Sequence, residues 1–208
     1  MTEHKIHRYQ RITLAMTGAS GAQYGLRLLQ SLVQADREIY FVISDPGLIV
    51  VNMETDLKLP KAVREMEKRL QAFAGAKEGQ IKVFGQDQWT APIASGSAAA
   101  DAMVVCPCTT GALSSIAVGA SRNLLERAAD VTIKEQKKLI LVPRETPLSA
   151  IHLEHMLNLA RLGVVILPPN PGFYQEPTTL LDLVDFVVAR ILDQLEIDHK
   201  LMKRWGEQ

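Results

Sequence analysis

Two short turns concentrate glycines and small hydroxylated residues. Thr17-Gly18-Ala19-Ser20-Gly21 follows an apolar run and opens a helical pattern, and Cys108-Thr109-Thr110-Gly111 repeats the arrangement later in the chain. The first backbone N–H groups of a helix have no intrahelical partner, and the helix dipole makes that end attractive to an anion. Ser20, Thr109 and Thr110 add hydroxyl donors. Each turn taken alone reads equally well as an N-cap with close helix–sheet packing. Gly18, Gly21 and Gly25 do not follow the G-x-G-x-x-G spacing of a dinucleotide site. Two such turns on one rim favour a planar, phosphorylated ligand of mononucleotide size.

Charged residues extend the chemistry. Pro143-Arg144-Glu145-Thr146 sets an acid beside a base. The carboxylate could move a proton while the guanidinium holds anionic oxygens; the alternative is a turn with a weak local ion pair. Arg127 and Lys134 are seven residues apart on one helical pattern, nearly on one face. With Arg144 at the end of the next strand they could hold a departing phosphate; otherwise they are surface charge beside Glu126 and Asp130. Tyr174 follows a stiff proline-rich loop and offers a hydroxyl or a packing ring. Arg190 continues the apolar pattern Leu183–Phe186 and either meets an anion or snorkels to water. Ser95, in Ala94-Ser95-Gly96-Ser97, lies where a flat ligand could approach the backbone, or in a flexible loop. His152 and His155 have no third ligand and no H-E-x-x-H frame, so no metal site is expected. Cys106 and Cys108 read as buried packing residues, and Trp205 as a tail aromatic that packs on a ligand or another subunit.

The elements that must position these residues alternate. Strand-like runs at Ile12–Thr17, Ile39–Ser44, Ile81–Phe84, Ala102–Cys106, Leu139–Val142 and Val164–Leu167 are mostly apolar on both faces. Helical patterns at Gly21–Gln34, Lys61–Phe73, Gly111–Val118, Asn123–Glu135, Ser149–Leu162 and Thr178–Leu195 separate them. The βαβα order predicts a doubly wound α/β fold, an open parallel sheet covered on both faces. In such sheets ligands bind outside the carboxyl ends of the strands, where the turns above fall.

Composition narrows the classes. The chain has 208 residues, 23 Lys and Arg against 23 Asp and Glu, and 47% hydrophobic residues. That suits one globular domain and argues against a broad nucleic-acid surface. Residues 1–10 read as a polar extension and 11–208 as the functional domain. The start has no apolar run of a signal peptide, and the two cysteines cannot staple a loop, so a reduced, cytoplasmic protein is expected. The uncharged stretch after Asp101 is broken by Pro107, Gly111 and Gly119 and reads as strand, loop and helix, not a membrane span.

Taken together, several blocks resemble the UbiX-type flavin prenyltransferases. They are Met16-Thr17-Gly18-Ala19-Ser20-Gly21-Ala22-Gln23-Tyr24-Gly25, Met53-Glu54-Thr55-Asp56, Ala94-Ser95-Gly96-Ser97, Cys106-Pro107-Cys108-Thr109-Thr110-Gly111, Glu126-Arg127-Ala128-Ala129-Asp130, Pro143-Arg144-Glu145-Thr146-Pro147, Pro171-Gly172-Phe173-Tyr174 and Arg204-Trp205. The resemblance implies a three-layer, Rossmann- or flavodoxin-like single domain, assembled as a homododecamer with sites at subunit junctions. It implies reduced FMN as prenyl acceptor and dimethylallyl phosphate as donor, without a metal. The product would be prenylated FMN for a UbiD-type decarboxylase of ubiquinone biosynthesis or aromatic acid metabolism. It assigns Gly18, Ala19, Ser20, Ser44, Ser95, Thr109, Thr110, Gly111, Ala112 and Arg144 to the flavin. Tyr174, Arg190, Arg127, Lys134, Glu145 and Trp205 go to the prenyl donor. Ser20 and Glu54 would handle protons near flavin N5, and Glu145 would be the acid/base. Thr109 stands where serine is common in the family and keeps the hydroxyl.

Two rivals share parts of this pattern. A phosphopantothenoylcysteine-type decarboxylase wants a histidine after the first strand, where Ser20 and Gln23 stand. A non-catalytic FMN carrier would leave Lys134, Glu145, Tyr174 and Arg190 idle.

Overall fold

The structure, a computed structural model, describes residues 9–202. Trp205 and most of the expected extension lie outside the described residues. Tyr9 is already buried, at 6% exposure, and the Gln10 N–H donates to Asp101.

The elements in chain order are β1 (Arg11–Met16), α1 (Ala22–Gln34), β2 (Glu38–Ile43), α2 (Asp45–Glu54), α3 (Val63–Ala74), β3 (Ile81–Phe84), β4 (Ala102–Cys108), α4 (Thr110–Ala117), α5 (Leu124–Lys134), β5 (Lys138–Pro143), α6 (Ala150–Arg161), β6 (Val165–Ile166) and α7 (Leu180–Gln194). Single 3-10 turns occupy Pro92–Ala94, Gly96–Ala98 and Phe173–Gln175. All strand pairs are parallel, in the order β3-β2-β1-β4-β5-β6. This is the Rossmann order, with the switch in winding direction between β1 and β4.

Alternate strand residues feed two separate cores. Ile12, Leu14 and Met16 of β1 pack with Leu28 of α1, Leu70 of α3 and Val188 of α7. Ala15 of β1 and Met103 and Val105 of β4 pack with Leu113 of α4, Ala129 of α5 and Leu159 of α6. Burying both sheet faces removes the polar alternation, which explains the continuous apolar runs.

Two features depart from the expected pattern. β4 runs on through Pro107 to Cys108, with a register irregularity between Val105 and Cys108. The irregularity turns Cys106 into one core and Cys108 into the other although they are two residues apart. Both thiols are fully buried, and burial pushes them up, Cys108 to about 12. They are packing residues, not nucleophiles. The second departure is α2, which the helical periodicity did not reveal. Ser44 caps it by accepting the Gly47 N–H at 3.0 Å, and Pro46 lies in its first turn. The Ser-Asp-Pro sequence is the usable signal for that start.

No helix among the described residues is long and apolar enough to cross a membrane. α1 lies close on the sheet because Gly25 has no Cβ. A methyl group there would overlap the Cys106 carbonyl oxygen and stand 2.7 Å from the Met16 methyl. Gly25→Ala gains helix propensity but forces α1 off the sheet, so a net loss of about 1–2 kcal/mol is expected. Urea unfolding at fixed protein concentration checks this; parental stability would mean that α1 lifts without cost.

Candidate active site

The carboxyl ends of β1, β2, β4 and β5 meet around the switch point. Ser44 and Thr109 each follow a strand and cap the next helix, Ser44 as above and Thr109 by accepting the Ala112 N–H at 3.0 Å. Each oxygen accepts from the backbone, which leaves the hydroxyl proton for a ligand oxygen. Capping and binding are therefore compatible. Thr110 and Gly111 follow Thr109 in the first turn of α4 and carry N–H groups without intrahelical partners.

The turn after β1 differs from its expected role. Gly21 is the N-cap of α1, with φ of 107°, and has no side chain to cap the helix. Glu54, the last residue of α2, supplies the cap instead. Its Oε2 accepts the Gly21 and Ala22 N–H groups, both at 2.9 Å. Part of the anion-binding capacity of this helix start is thus taken by an internal carboxylate. Gly18 shows why no side chain is tolerated earlier in the turn: a Cβ would lie 2.5 Å from the Pro46 side chain at the start of α2.

Glu54 sits in a defined field. Burial pushes its pKa up, but the Ser20 hydroxyl, the Ala22 and Gly21 N–H groups and the Arg144 charge outweigh this, and the net shift is downward. Glu54 is an anion at neutral pH. Arg144, just after β5, is fixed by its own N–H on the Cys108 carbonyl at 3.2 Å and by Nε on the Ser20 carbonyl at 3.2 Å. Ser20, Glu54 and Arg144 line a cleft of about 600 Å³. Pro169, Leu183 and Val184 form an apolar wall in the same cleft. A lining that joins charged and hydroxylated groups to apolar ones suits a flat ring with a polar edge. Leu183 belongs to the apolar pattern that leads to Arg190, but local sequence gives no sign that it meets Ser20 and Glu54 in one cleft. The signal for the wall itself was the apolar start of α7, beginning with Leu180 directly after the Thr179 cap.

The remaining candidates fall into separate groups. Glu145 is exposed and accepts the Thr146 N–H at 3.0 Å; it does not line the cleft. Arg127 donates through Nε to the Ala94 carbonyl at 3.2 Å and pairs with Asp130 at 2.7 Å. Lys134 pairs with Glu135 beside Gly96, and the Ser95 and Ser97 hydroxyls are 3.2 Å apart. Arg127, Lys134 and the Ser95 loop therefore form a second group. The expected pairing of Lys134 with Arg144 does not occur within one chain. Lys134 precedes β5 and Arg144 follows it, so the strand separates them by about 20 Å. Tyr174 packs edge-on against Phe186 at 5.7 Å, and Arg190 lies one turn further along α7. Arg190 is exposed and paired with Asp193 at 2.6 Å, so it reaches water and is not buried against an anion. His155 bonds Ser114 across α6 and α4 at 2.9 Å, and His152 caps α6. No group of metal-ligating residues occurs among the described residues.

The depressed pKa gives Glu54 a testable signature. A carboxylate held more tightly in the folded state adds stability above its ordinary pKa of 4.5, and that stability is lost as the pH falls through the lower folded value. Glu54→Ala should cost about 1 kcal/mol near neutral pH, as for loss of a helix cap. The gap from the parent should close in acid below the ordinary carboxylate range. Urea unfolding at neutral and acidic pH checks this; a gap unchanged in acid would assign the effect to packing.

Comparison with known proteins bears on the whole chain. A family model described as Flavoprotein matches residues 1–192. The flavin prenyltransferase UbiX of Pseudomonas aeruginosa is 60% identical over 199 residues, covering 96% of this chain and 95% of that protein. The UbiX of Halalkalibacterium halodurans is 50% identical, covering 94% and 93%. Among solved structures, AnUbiX (PadA1) in complex with FMN and dimethylallyl pyrophosphate superimposes with a TM-score of 0.84 at 38% identity, covering 95% of this chain and 98% of that one. A dodecameric FMN-dependent UbiX-like decarboxylase from Escherichia coli gives 0.82 at 41% identity, covering 94% and 99%. PPC decarboxylase, at 21% identity and a TM-score of 0.56, shares the fold. With full-length relatives at this identity, and a hydroxyl–carboxylate–guanidinium cleft at the carboxyl ends of β1 and β5, the chain belongs to the flavoprotein family and, within it, to the UbiX-type flavin prenyltransferases.

Proposed function

We propose that this protein transfers the dimethylallyl group of dimethylallyl phosphate to N5 and C6 of reduced FMN, and that its product, prenylated FMN, serves a UbiD-type decarboxylase. The observation that carries the reading is the cleft at the carboxyl ends of β1 and β5, lined by Ser20, Glu54 and Arg144 together with the apolar Pro169, Leu183 and Val184. Bound reduced flavin supplies the nucleophilic nitrogen and carbon of the reaction.

The chain's residues supply position, proton control and dryness. Ser44 and Thr109 donate hydroxyl protons to flavin oxygens, and Thr110, Gly111 and Ala112 present the start of α4. Gly18 and Ala19 keep the first turn low, so that the ring lies close to backbone. Arg144 holds the electron-rich edge. Glu54, fixed as an anion by two backbone donors, accepts from Ser20 and so turns the Ser20 oxygen lone pairs to a ring N–H at N5. The apolar wall excludes water from allylic positive charge as it develops. Arg127 and Lys134 would bind the leaving phosphate, and Glu145, which does not line the cleft of a single chain, would reach the ring in the assembled site to take the proton that restores its aromaticity. Tyr174, from the 3-10 turn before α7, and Arg190, from α7 itself, would bind the phosphate, Arg190 by exchanging its contact with Asp193 for the ligand, and Trp205 is assigned to the prenyl group.

These residues form one site only across copies of the chain. Arg144 and Lys134 stand at opposite ends of one strand, so a neighbouring copy must bring Arg127, Lys134 and Ser95 to the cleft. Exposed apolar side chains suit such an assembly; Leu180 is 82% exposed, Met53 78% and Phe173 73%. We assign a homododecamer, following the E. coli relative. We place the enzyme in the cytoplasm, where buried thiols stay reduced.

Anaerobic incubation with reduced FMN and dimethylallyl phosphate, without metal, should yield a flavin heavier by one prenyl unit on mass analysis. Unchanged flavin on an FMN-binding protein would favour a carrier. Lys134→Ala and Arg144→Ala should each lower activity by about 100-fold or more. Co-assembly of the two variants should restore activity at about a quarter of the sites by random pairing. No recovery in verified mixed oligomers would mean that Lys134 and Arg144 do not serve one site.

A further inference from the structure

Thr17, which touches neither wall of the cleft, links the two turns assigned to the flavin. It is the first residue after β1 and 4% exposed. Its N–H donates to the Pro107 carbonyl at 3.1 Å, and its hydroxyl donates to the same oxygen at 2.9 Å. The hydroxyl oxygen also accepts the Thr109 N–H at 2.7 Å. One buried hydroxyl thus acts as donor and acceptor at once, toward the strand end and the helix cap that follow each other in β4 and α4.

This contact lies where regular pairing fails. The β4 ladder is irregular between Val105 and Cys108, and Pro107 has no N–H to give. Thr109 is an N-cap, so its own N–H points away from the helix ladder and needs an outside partner. The Thr17 hydroxyl supplies it. The next residue, Gly18, begins the Ser20 turn, and the residue bonded, Thr109, begins the α4 turn.

We propose that Thr17 is a positioning residue for the flavin: its hydroxyl sets the spacing between the Gly18–Gly21 turn and the Thr109–Ala112 turn, and so the fit of the ring between them. The proposal rests on the FMN reading above. With its hydroxyl proton on Pro107 and an oxygen lone pair on Thr109, Thr17 acts through those neighbours and not by contact with the ligand. Valine at this position keeps the shape but leaves the half-buried Thr109 N–H without its acceptor.

A series of Thr17→Ser, Thr17→Cys and Thr17→Val tests this, with FMN titrated against the assembled protein and thermal unfolding followed in the absence of flavin. Serine retains both hydrogen bonds, so FMN affinity should stay within about threefold of the parent, while valine should weaken it by about tenfold. Cysteine, a weak donor and acceptor, should fall between, and the Ser–Cys comparison decides the matter if valine does not fold. The visible circular dichroism of bound flavin should change in the same order, a signature that a purely structural role would not move. A series with lowered thermal stability but FMN affinity and flavin spectra equal to the parent would overturn the role of Thr17 alone. A parent protein that binds no FMN would overturn the flavin reading, and the role of Thr17 with it.

Discussion

The pairing of β1 with β4 is the constraint from which the site follows. From β1 the chain winds outward to β2 and β3; from β4 it winds the other way, to β5 and β6. The connections therefore leave the two central strands toward opposite faces of the sheet, and no crossover helix covers the gap above them. That gap must be floored by turns. The chain meets this need with residues of small volume, Gly18 to Gly21 on one side and Thr109 to Ala112 on the other. Larger side chains are excluded by specific neighbours, as Pro46 is against Gly18.

Once the floor is built of helix starts, its electrostatics are largely fixed. A helix start is short of hydrogen-bond acceptors. At α2 and α4 the shortage is met locally, by Ser44 and Thr109. At α1 the N-cap is glycine in a left-handed conformation, and the acceptor comes from the far end of α2 as Glu54. The consequence reaches beyond stability. A carboxylate that neutralises a helix start stays ionised beside the cleft, and its remaining capacity orients Ser20. Arg144 then has an anion nearby and a carbonyl to hold, so its guanidinium stays within the cleft wall.

The sequence revealed the strands well because both sheet faces are buried. Runs such as Ile39–Ser44 and Leu139–Val142 differ from the observed β2 and β5 only at their ends. Helices with one apolar face were equally plain. α2 was not, since its residues lack a helical period and its start depends on the cap at Ser44. For the site, local sequence could identify hydroxyls and glycines at strand ends, and it placed Ser20, Ser44, Thr109 and Arg144 on one rim. It could not reveal that Glu54 caps α1, because that contact joins residues 33 apart in sequence. Nor could helix period separate Lys134 from Arg144. That separation follows from chain direction: a helix leading into a strand ends at the strand's start, and the strand carries the next residue to the opposite rim.

The same directional argument explains why a fold of this kind gains from assembly. A doubly wound sheet has one ligand rim, and the far ends of its helices lie a strand length away. Basic residues at those far ends, such as Lys134 at the end of α5, cannot bend back to their own rim. They can serve a neighbour's rim if copies meet with the end of one sheet against the cleft of another. The flavin half of the proposed site then comes from strand-end turns, and the phosphate half from a helix end of another copy. Each half keeps its own rigid support: Arg144 is held on Ser20 and Cys108, Arg127 on Ala94 and Asp130. Transfer between a planar acceptor and a charged leaving group needs both halves correctly placed, so the geometry ties the proposed chemistry to the assembly.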